Sequence, residues 1–193
     1  MLLLYFVLGG LIIGTALGGR PSELSTVRFR WWPVALGGLG FQVLLFSEPL
    51  ASWVGPAGPP LYVVSTVVVL AALLADRALP GFRVIALGAV LNLAAILANG
   101  GLMPASPEAF EALTGRAAVP SETFSNSTLA APEAALAVLG DNFVLPRPFP
   151  FANVFSIGDV VIGVGAAFFV VRVMVGGRSA LPAGLRATGL ADG

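Results

Sequence analysis

The sequence predicts an all-α membrane protein with five transmembrane helices and one structured extracytoplasmic loop. Of its 193 residues, 57% are hydrophobic and only 10% are charged, and the mean hydropathy is +0.93. A soluble domain carries about a quarter charged residues, so lipid is the expected surrounding of this chain. Crossing roughly 30 Å of hydrocarbon takes about 20 mostly apolar residues. Five segments qualify, at about 2–19, 33–53, 61–79, 83–99 and 153–175.

The first predicted span begins at Met1 without a preceding basic segment and ends at Gly18-Gly19-Arg20. This ending differs from the small-residue cleavage site of a signal peptide, so we expect a retained helix. Gly10, Gly14 and Gly18 are spaced four apart and share one face, which lets another helix approach closely. Two alternatives stay open: packing within the chain, or contact with a second copy or a partner membrane subunit.

The arginines set the predicted orientation, because positively charged loops stay in the cytoplasm. All ten basic residues are arginine, and only Arg116 and Arg147 fall in the loop between the fourth and fifth spans. The N-terminus is therefore predicted outside and the C-terminus inside. The eight arginines on the predicted inner side are Arg20, Arg28, Arg30, Arg77, Arg83, Arg172, Arg178 and Arg186.

Residues 1–178 are predicted to form a single membrane domain, with 100–152 as its outer loop and 179–193 as a disordered cytoplasmic tail. Within the loop, Ser106-Pro107-Glu108 is typical of a helix start and Gly115 of a helix end. A second, apolar helix is predicted at about 132–139. Because it is apolar, we expect it to lie in the membrane interface or to re-enter the membrane surface.

The amino acids that the chain lacks exclude several kinds of chemistry. The sequence contains no Lys, His or Cys, so the usual haem, iron–sulfur and structural zinc ligands are missing, and we predict no metal and no cofactor. Thiol nucleophiles, Ser-His triads and P-loops are excluded for the same reason. The formal net charge is zero, which leaves no basic field for nucleic acid. Any catalysis would use Asp, Glu, Arg, Tyr, Ser or Thr.

Asp159 is the one acid well inside a predicted span, and an acid at that depth is by default a functional hypothesis. Ser156 shares its helix face, while Asp141, Arg147 and Asn99 are candidate neighbours from the same outer side. In the functional interpretation these residues hold a ligand or a reacting group. In the structural interpretation, Arg147 or backbone N–H groups satisfy the Asp159 carboxylate.

Asn92 and Asn99 lie seven residues apart, which places them two turns apart on one face of the fourth predicted span. An amide in hydrocarbon needs a hydrogen-bonding partner. The two residues are therefore candidates for ligand or partner binding, with interhelical hydrogen bonding for Asn92 and helix capping for Asn99 as the alternative.

Four motifs in a fixed order carry a resemblance to a known family. They are Asn99-Gly100-Gly101-Leu102-Met103-Pro104, Leu139-Gly140-Asp141, Pro148-Phe149-Pro150 and Ser156-Ile157-Gly158-Asp159. In this order they resemble a family of bacterial multi-pass membrane proteins catalogued only as a domain of unknown function. The resemblance extends from Gly18 to the last span and implies a bacterial cytoplasmic membrane without a known activity.

A second likeness concerns the last span alone. Asn153-Val154, Asp159 and Val161-Ile162-Gly163 resemble the last helix of lipoprotein signal peptidases, where an Asn-x-x-Asp at the outer interface supplies one of two catalytic aspartates. In this chain the third position after Asn153 is Ser156, and no other span contains that family's Gly-Asn-x-x-Asp-Arg pattern.

These observations leave three functional alternatives. The favoured one is a non-enzymatic binding, assembly or transport-accessory protein in which Asp159, Asn99 and Arg20 position a ligand, a membrane lipid or a partner subunit. The second is an aspartyl hydrolase at the outer membrane face, in which Asp141 and Asp159 share one proton because two nearby carboxylates do not both ionise easily. The third is proton or ion coupling through Asp159.

Overall fold

The computed structural model describes residues 2–117, 123–124, 127–129 and 134–177. This part of the chain is mostly helical, with short strands between the fifth and seventh helices. The helices are α1 (Leu2–Ala16), α2 (Trp32–Leu45), α3 (Leu50–Val54), α4 (Gly58–Ala75), α5 (Phe82–Ala98), α6 (Pro107–Thr114) and α7 (Ile157–Gly176). The strands are β1 (Met103–Ala105), β2 (Thr123–Phe124), β3 (Ser127–Leu129), β4 (Phe143–Leu145) and β5 (Asn153–Phe155). The predicted tail at 179–193 lies outside the described residues.

The five predicted spans overlap apolar helices of two lengths, although α2 ends at Leu45, before the predicted end of the second span at residue 53. A continuous helical segment, Leu50–Ala75, and α7 are long and apolar enough to cross a membrane. The other three, α1, α2 and α5, are apolar but shorter than 18 residues. The prediction of a mostly helical chain is confirmed, whereas the prediction of helices alone is wrong because the loop contains strands. Those strands are two or three residues long, too short to show an alternating pattern in the sequence.

The apolar helices form a row in which the order of neighbours is α1, α7, α5, α4, α2. Gly10 faces Ala167 and Gly14 faces Met174, so α1 and α7 run in the same direction. Within the row α7 lies between α1 and α5, and the two helices that are consecutive at the start of the chain, α1 and α2, lie at opposite ends.

Glycines allow α7 to approach both of its neighbours closely. A Cβ atom added to Gly88 on α5 would lie 2.5 Å from the Gly158 carbonyl oxygen, and one added to Gly10 would lie 3.0 Å from the Ala167 carbonyl oxygen. Gly10 and Gly14 therefore pack within the chain, which is the first of the two alternatives above. Gly18 has no atom within 4 Å of an added Cβ and follows the helix end with a φ of +81°.

One end of the row, here called the arginine end, is closed by the segment between α1 and α2. Leu24, Val27 and Phe29 pack against a buried cluster of Leu79, Phe82 and Val173. The Asp76 carboxylate accepts a hydrogen bond from the Trp31 backbone N–H at 3.2 Å. The exposed arginines at this end are Arg20, Arg28, Arg30, Arg77, Arg83 and Arg172.

The opposite end carries a small folded unit, the cap, which comprises the described residues between 99 and 156. Strand β3 pairs in parallel with β1 and antiparallel with β2, while β4 and β5 form an antiparallel hairpin. The predicted helix at Ser106 is confirmed as α6, whose first turn is capped by the Ser106 hydroxyl and which ends at Gly115. Of the predicted helix at 132–139, the described part contains one 3₁₀ turn, Ala137–Leu139. Met103 of the cap packs with Leu45, Tyr62, Ala95 and Ile96 of the helices.

Candidate functional site

The start of α7 lies four residues later than the sequence predicts. The fifth span was expected from residue 153, but Asn153–Phe155 form strand β5, and the helix begins at Ile157. Asp159 is consequently the third residue of α7 and lies in its first turn, rather than well inside the span. An aspartate in the first turn of a helix is favoured because the N-terminal N–H groups and the helix dipole attract negative charge.

Ser156 and Asp159 form a capping box at this helix start. The Asp159 backbone N–H donates to the Ser156 hydroxyl oxygen at 3.0 Å, and the Ser156 backbone N–H donates to the Asp159 carboxylate at 3.0 Å. Each side chain thus accepts a hydrogen bond from the backbone N–H of the other residue. These N–H groups at the helix start have no hydrogen-bond partner within the helix.

Asn92 of α5 extends the capping box into a closed network. Its side-chain N–H donates to the second Asp159 carboxylate oxygen at 2.8 Å, and its carbonyl oxygen accepts from the Ser156 hydroxyl at 2.8 Å. Gly158 makes this approach feasible, because an added Cβ there would overlap the Asn92 amide oxygen. Ser156 is fully buried, and the network joins α5 to the beginning of α7.

The other residues proposed for this site lie elsewhere. Arg147 is exposed on the cap, and within the described residues no ion pair joins it to Asp159. Asn99 donates to the backbone carbonyls of Ala95 and Ala135 at 2.8 and 2.7 Å, which joins the end of α5 to the cap.

Arg20 lies at the arginine end, where its backbone N–H donates to the Met174 carbonyl at 3.0 Å. Met174 follows Asp159 by 15 positions on α7, which corresponds to about 22 Å along a helix. The structure thus brings Asn92, Ser156 and Asp159 together and separates them from Arg20.

Asp141 is a buried carboxylate at the centre of the cap. Its backbone N–H donates to the Pro104 carbonyl at 2.8 Å, and its carbonyl accepts from the Ser106 backbone N–H at 3.1 Å. The Ser127 hydroxyl donates to its carboxylate at 2.7 Å. Asp141 therefore connects three segments of the cap. No spacing or motif in the sequence links Ser127 to Asp141, so this contact was not predictable.

Burial raises the pKa of Asp141 from 3.8 to about 6, against a lowering effect of the hydrogen bond from Ser127. The charge on Asp159 makes a smaller contribution to the same rise. Both Asp159 carboxylate oxygens have hydrogen-bond donors. Within the part of the chain that the structure describes, no group of three or more acidic residues is arranged to hold a metal ion.

A family model described as "Family of unknown function (DUF5317)" matches residues 26–171. The match covers α2 to α6, the cap and most of α7. Comparisons with curated proteins and with solved structures gave no match. The predicted resemblance to an uncharacterised family is confirmed at this level, while the likeness to lipoprotein signal peptidases stays a prediction.

Proposed function

The chain belongs to DUF5317, a family of unknown function, and from this premise we propose that it is a non-enzymatic binding or assembly protein of the bacterial cytoplasmic membrane. In this proposal the row of apolar helices lies in the bilayer, and the cap presents a folded surface on the outer side. The partner is a membrane lipid or another membrane subunit.

The exposure of apolar side chains is the observation that carries the membrane assignment. The most apolar 18-residue stretches of the Leu50–Ala75 segment and of α7 are only 22% and 33% buried inside the protein. A helix that is apolar on all sides is normally buried, either in a protein core or in lipid. Here large apolar side chains point outward, for example Ile12 at 70% and Val43 at 69% exposure. Lipid contact accounts for this exposure, because it removes the side chains from water.

The direction of neighbouring helices supports five crossings rather than two. Helix α7 runs parallel to α1 and antiparallel to α5, since Gly88 faces Gly158 while Gly81 faces Gly165. Helix α5 of 17 residues extends over about 25 Å, and a somewhat short helix crosses where the bilayer thins locally. The arginine end then faces the cytoplasm, in agreement with the positive-inside rule.

The Asn92, Ser156 and Asp159 network supports a non-enzymatic role. Its hydrogen bonds run between its own members and to the backbone of the helix start. Such a closed arrangement fixes the relative position of α5, α7 and the cap. A protein that holds a partner or lipid in place needs this rigidity, whereas a reacting carboxylate needs an accessible oxygen.

Reporter fusions test the membrane assignment and its orientation. We expect a phosphatase fused after Ala130 to be active, because this enzyme works only outside the cytoplasm, and the same enzyme fused after Gly176 to be silent. The reverse pattern would contradict the proposed orientation. Release of the unfused chain from membranes by alkaline carbonate would contradict the membrane assignment itself.

Mass spectrometry of lipids and proteins that co-purify in mild detergent then identifies the partner class.

A second candidate is an aspartyl hydrolase acting through Asp141 and Asp159. It is favoured by the contribution of the Asp159 charge to the raised pKa of Asp141, because paired catalytic carboxylates share one proton. For a hydrolase, Asp141→Asn would trap an uncleaved substrate that co-purifies with the variant and not with the unsubstituted chain. Identical co-purifying molecules from both proteins would exclude this candidate.

A further inference from the structure

The cap carries two exposed apolar segments, here called the first tip (residues 135–139) and the second tip (residues 146–151). In the first tip, Leu136 and Val138 are 48% and 67% exposed. In the second, Phe149 and Phe151 are 52% and 53% exposed. If these large apolar side chains were in water, they would favour association of the cap with other molecules or with a membrane.

Both tips are attached to the cap-side ends of helices. The Asn99 side chain, which follows α5, donates to the Ala135 carbonyl of the first tip at 2.7 Å. The Tyr5 hydroxyl, in the first turn of α1, donates to the Pro150 carbonyl of the second tip at 2.7 Å. The two tips therefore lie at the level where the apolar helices end.

Each tip also places a bulky apolar residue in an unfavourable backbone conformation. Among the described residues, the non-glycine residues with positive φ are Leu136 at 51° and Phe151 at 58°. Turns of this kind normally use Gly, Asn or Asp, since a Cβ atom is disfavoured in the left-handed region. Leu and Phe do not reduce this strain. We therefore infer that their apolar side chains are the reason why they occupy these positions.

We propose that both tips enter the outer leaflet of the membrane and hold the cap against the lipid surface. This inference rests on the proposed membrane location of the helices. Lipid is the expected surrounding of the tips, because each tip adjoins the end of a helix whose exposed apolar side chains are proposed to contact lipid. Aromatic side chains are typical of the boundary between hydrocarbon and headgroups.

Charge at the second tip agrees with this placement. Arg147 is exposed beside Phe149 and has no ion-pair partner within the described ranges of the chain. A guanidinium group matches the geometry of a phosphate and binds it through two hydrogen bonds. With Phe149 and Phe151 among the acyl chains, Arg147, two positions before Phe149 in the chain, would be available to a lipid phosphate.

The absence of cysteine from the chain allows each tip to be labelled at a single position. We would introduce Val138→Cys in the first tip and Phe149→Cys in the second, attach a nitroxide spin label, and reconstitute each protein in phosphatidylglycerol and phosphatidylethanolamine vesicles. Glu108→Cys on α6 is the water-exposed control, and Ile12→Cys on α1 is the lipid-exposed control. Collision of the label with oxygen, which concentrates in lipid, is compared with collision with a water-soluble nickel complex.

We expect the labels at 138 and 149 to collide more with oxygen and several-fold less with nickel than the label at 108. Nickel accessibility equal to that at position 108 would place the tips in water and overturn the inference. Low accessibility to both reagents would also overturn it, because a protein partner or second copy would then cover the tips. A label at position 12 that collides freely with nickel would instead refute the membrane location, and both proposals would fail. Equal thermal stability of the four variants in detergent verifies that the fold is intact.

Discussion

The α5–α7 and α2–α4 interfaces join neighbouring apolar helices by different means. Between α5 and α7, glycines bring the two backbones together, and Asn92 fixes the end of the contact through Ser156 and Asp159. Between α2 and α4, the Gln42 side chain donates to the hydroxyls of Ser65 and Thr66 at 3.1 and 3.2 Å. At the first interface an added Cβ on Gly88 meets backbone atoms, whereas at the second an added Cβ on Gly38 meets the Val69 side chain, so substitutions should affect the two interfaces unequally.

The largest expected effect comes from adding one methyl group to the α5–α7 interface. In Gly88→Ala the new Cβ would lie 2.5 Å from the Gly158 carbonyl oxygen, which is a backbone atom that moves only with its helix. We expect a loss of about 3 kcal/mol in the free energy of unfolding. Thermal or denaturant unfolding of the variant and the unsubstituted chain in detergent measures this loss.

Gly37→Ala on α2 is the matched control, because no atom lies within 4 Å of its added Cβ. Alanine is a better helix former than glycine, so this variant should gain up to about 1 kcal/mol. A similar response of both variants would show that backbone contact does not govern the α5–α7 interface.

Asp141 makes the region at the cap end of α7 sensitive to pH, whereas the Gln42 contact between α2 and α4 contains no titratable group. The folded-state pKa of Asp141 is about 6 against an ordinary value of 3.8, so the folded chain binds this proton more tightly than the unfolded chain. The resulting stabilisation is complete below about pH 4 and is lost as the pH rises through 6. It amounts to about 3 kcal/mol.

Asp141→Asn is the test, since an amide cannot titrate yet still accepts the Ser127 hydrogen bond. The difference in unfolding free energy between the unsubstituted chain and this variant should change between pH 4 and pH 6.5. A constant difference across that range would contradict the raised pKa.

An intermediate effect is expected when Asp159 becomes an amide. In Asp159→Asn, the new N–H₂ group faces either the Asn92 amide N–H or the Ser156 backbone N–H, both of which are donors. The unmatched donors should cost about 1–3 kcal/mol. Adding Asn92→Asp restores a carboxylate opposite the amide, so the double variant should recover most of this stability. Recovery by Arg147→Gln instead would indicate an ion pair between Asp159 and Arg147.

The smallest effect is expected for Gln42→Leu at the α2–α4 interface. The Ser65 and Thr66 hydroxyls both donate to the Tyr62 carbonyl, at 2.9 and 2.8 Å, so neither hydroxyl proton loses its partner. Hydrogen bonds between membrane helices contribute about 0.6 kcal/mol on average. The free energy of unfolding in detergent should therefore change by less than about 1 kcal/mol. A loss as large as that of Gly88→Ala would remove the distinction between the two interfaces.

Local signals were sufficient for some elements and insufficient for others. Helix α6 was predictable, because a capping serine, a proline in the first turn and a terminal glycine all lie within ten residues. The start of α7 was not, since Asn153–Phe155 continue the apolar run and only their pairing with β4 makes them a strand. A short apolar run fits either structure until its partner is known.

The members of the network could be selected from the sequence, but their pairing could not. Asn92 and Asp159 stood out as polar residues in apolar segments, although 67 positions separate them in the chain. The sequence left Arg147 and backbone N–H groups as alternative partners of Asp159, and the helix start supplies a backbone donor. Likewise, the glycine spacing on α1 indicated a close contact without identifying α7 as the neighbour.

The order of helices in the row has a consequence for biogenesis. Among the described helices, α1 is synthesised first and its main neighbour, α7, is synthesised last. Until synthesis reaches α7, the Gly10 and Gly14 face of α1 and the Gly88 face of α5 have no helix against them. In the proposed membrane arrangement, nascent α1 would therefore remain a separate helix in the bilayer while α2, α4 and α5 insert. In the same arrangement, a chain that stops before residue 157 would have glycine faces on α1 and α5 without a helix against them.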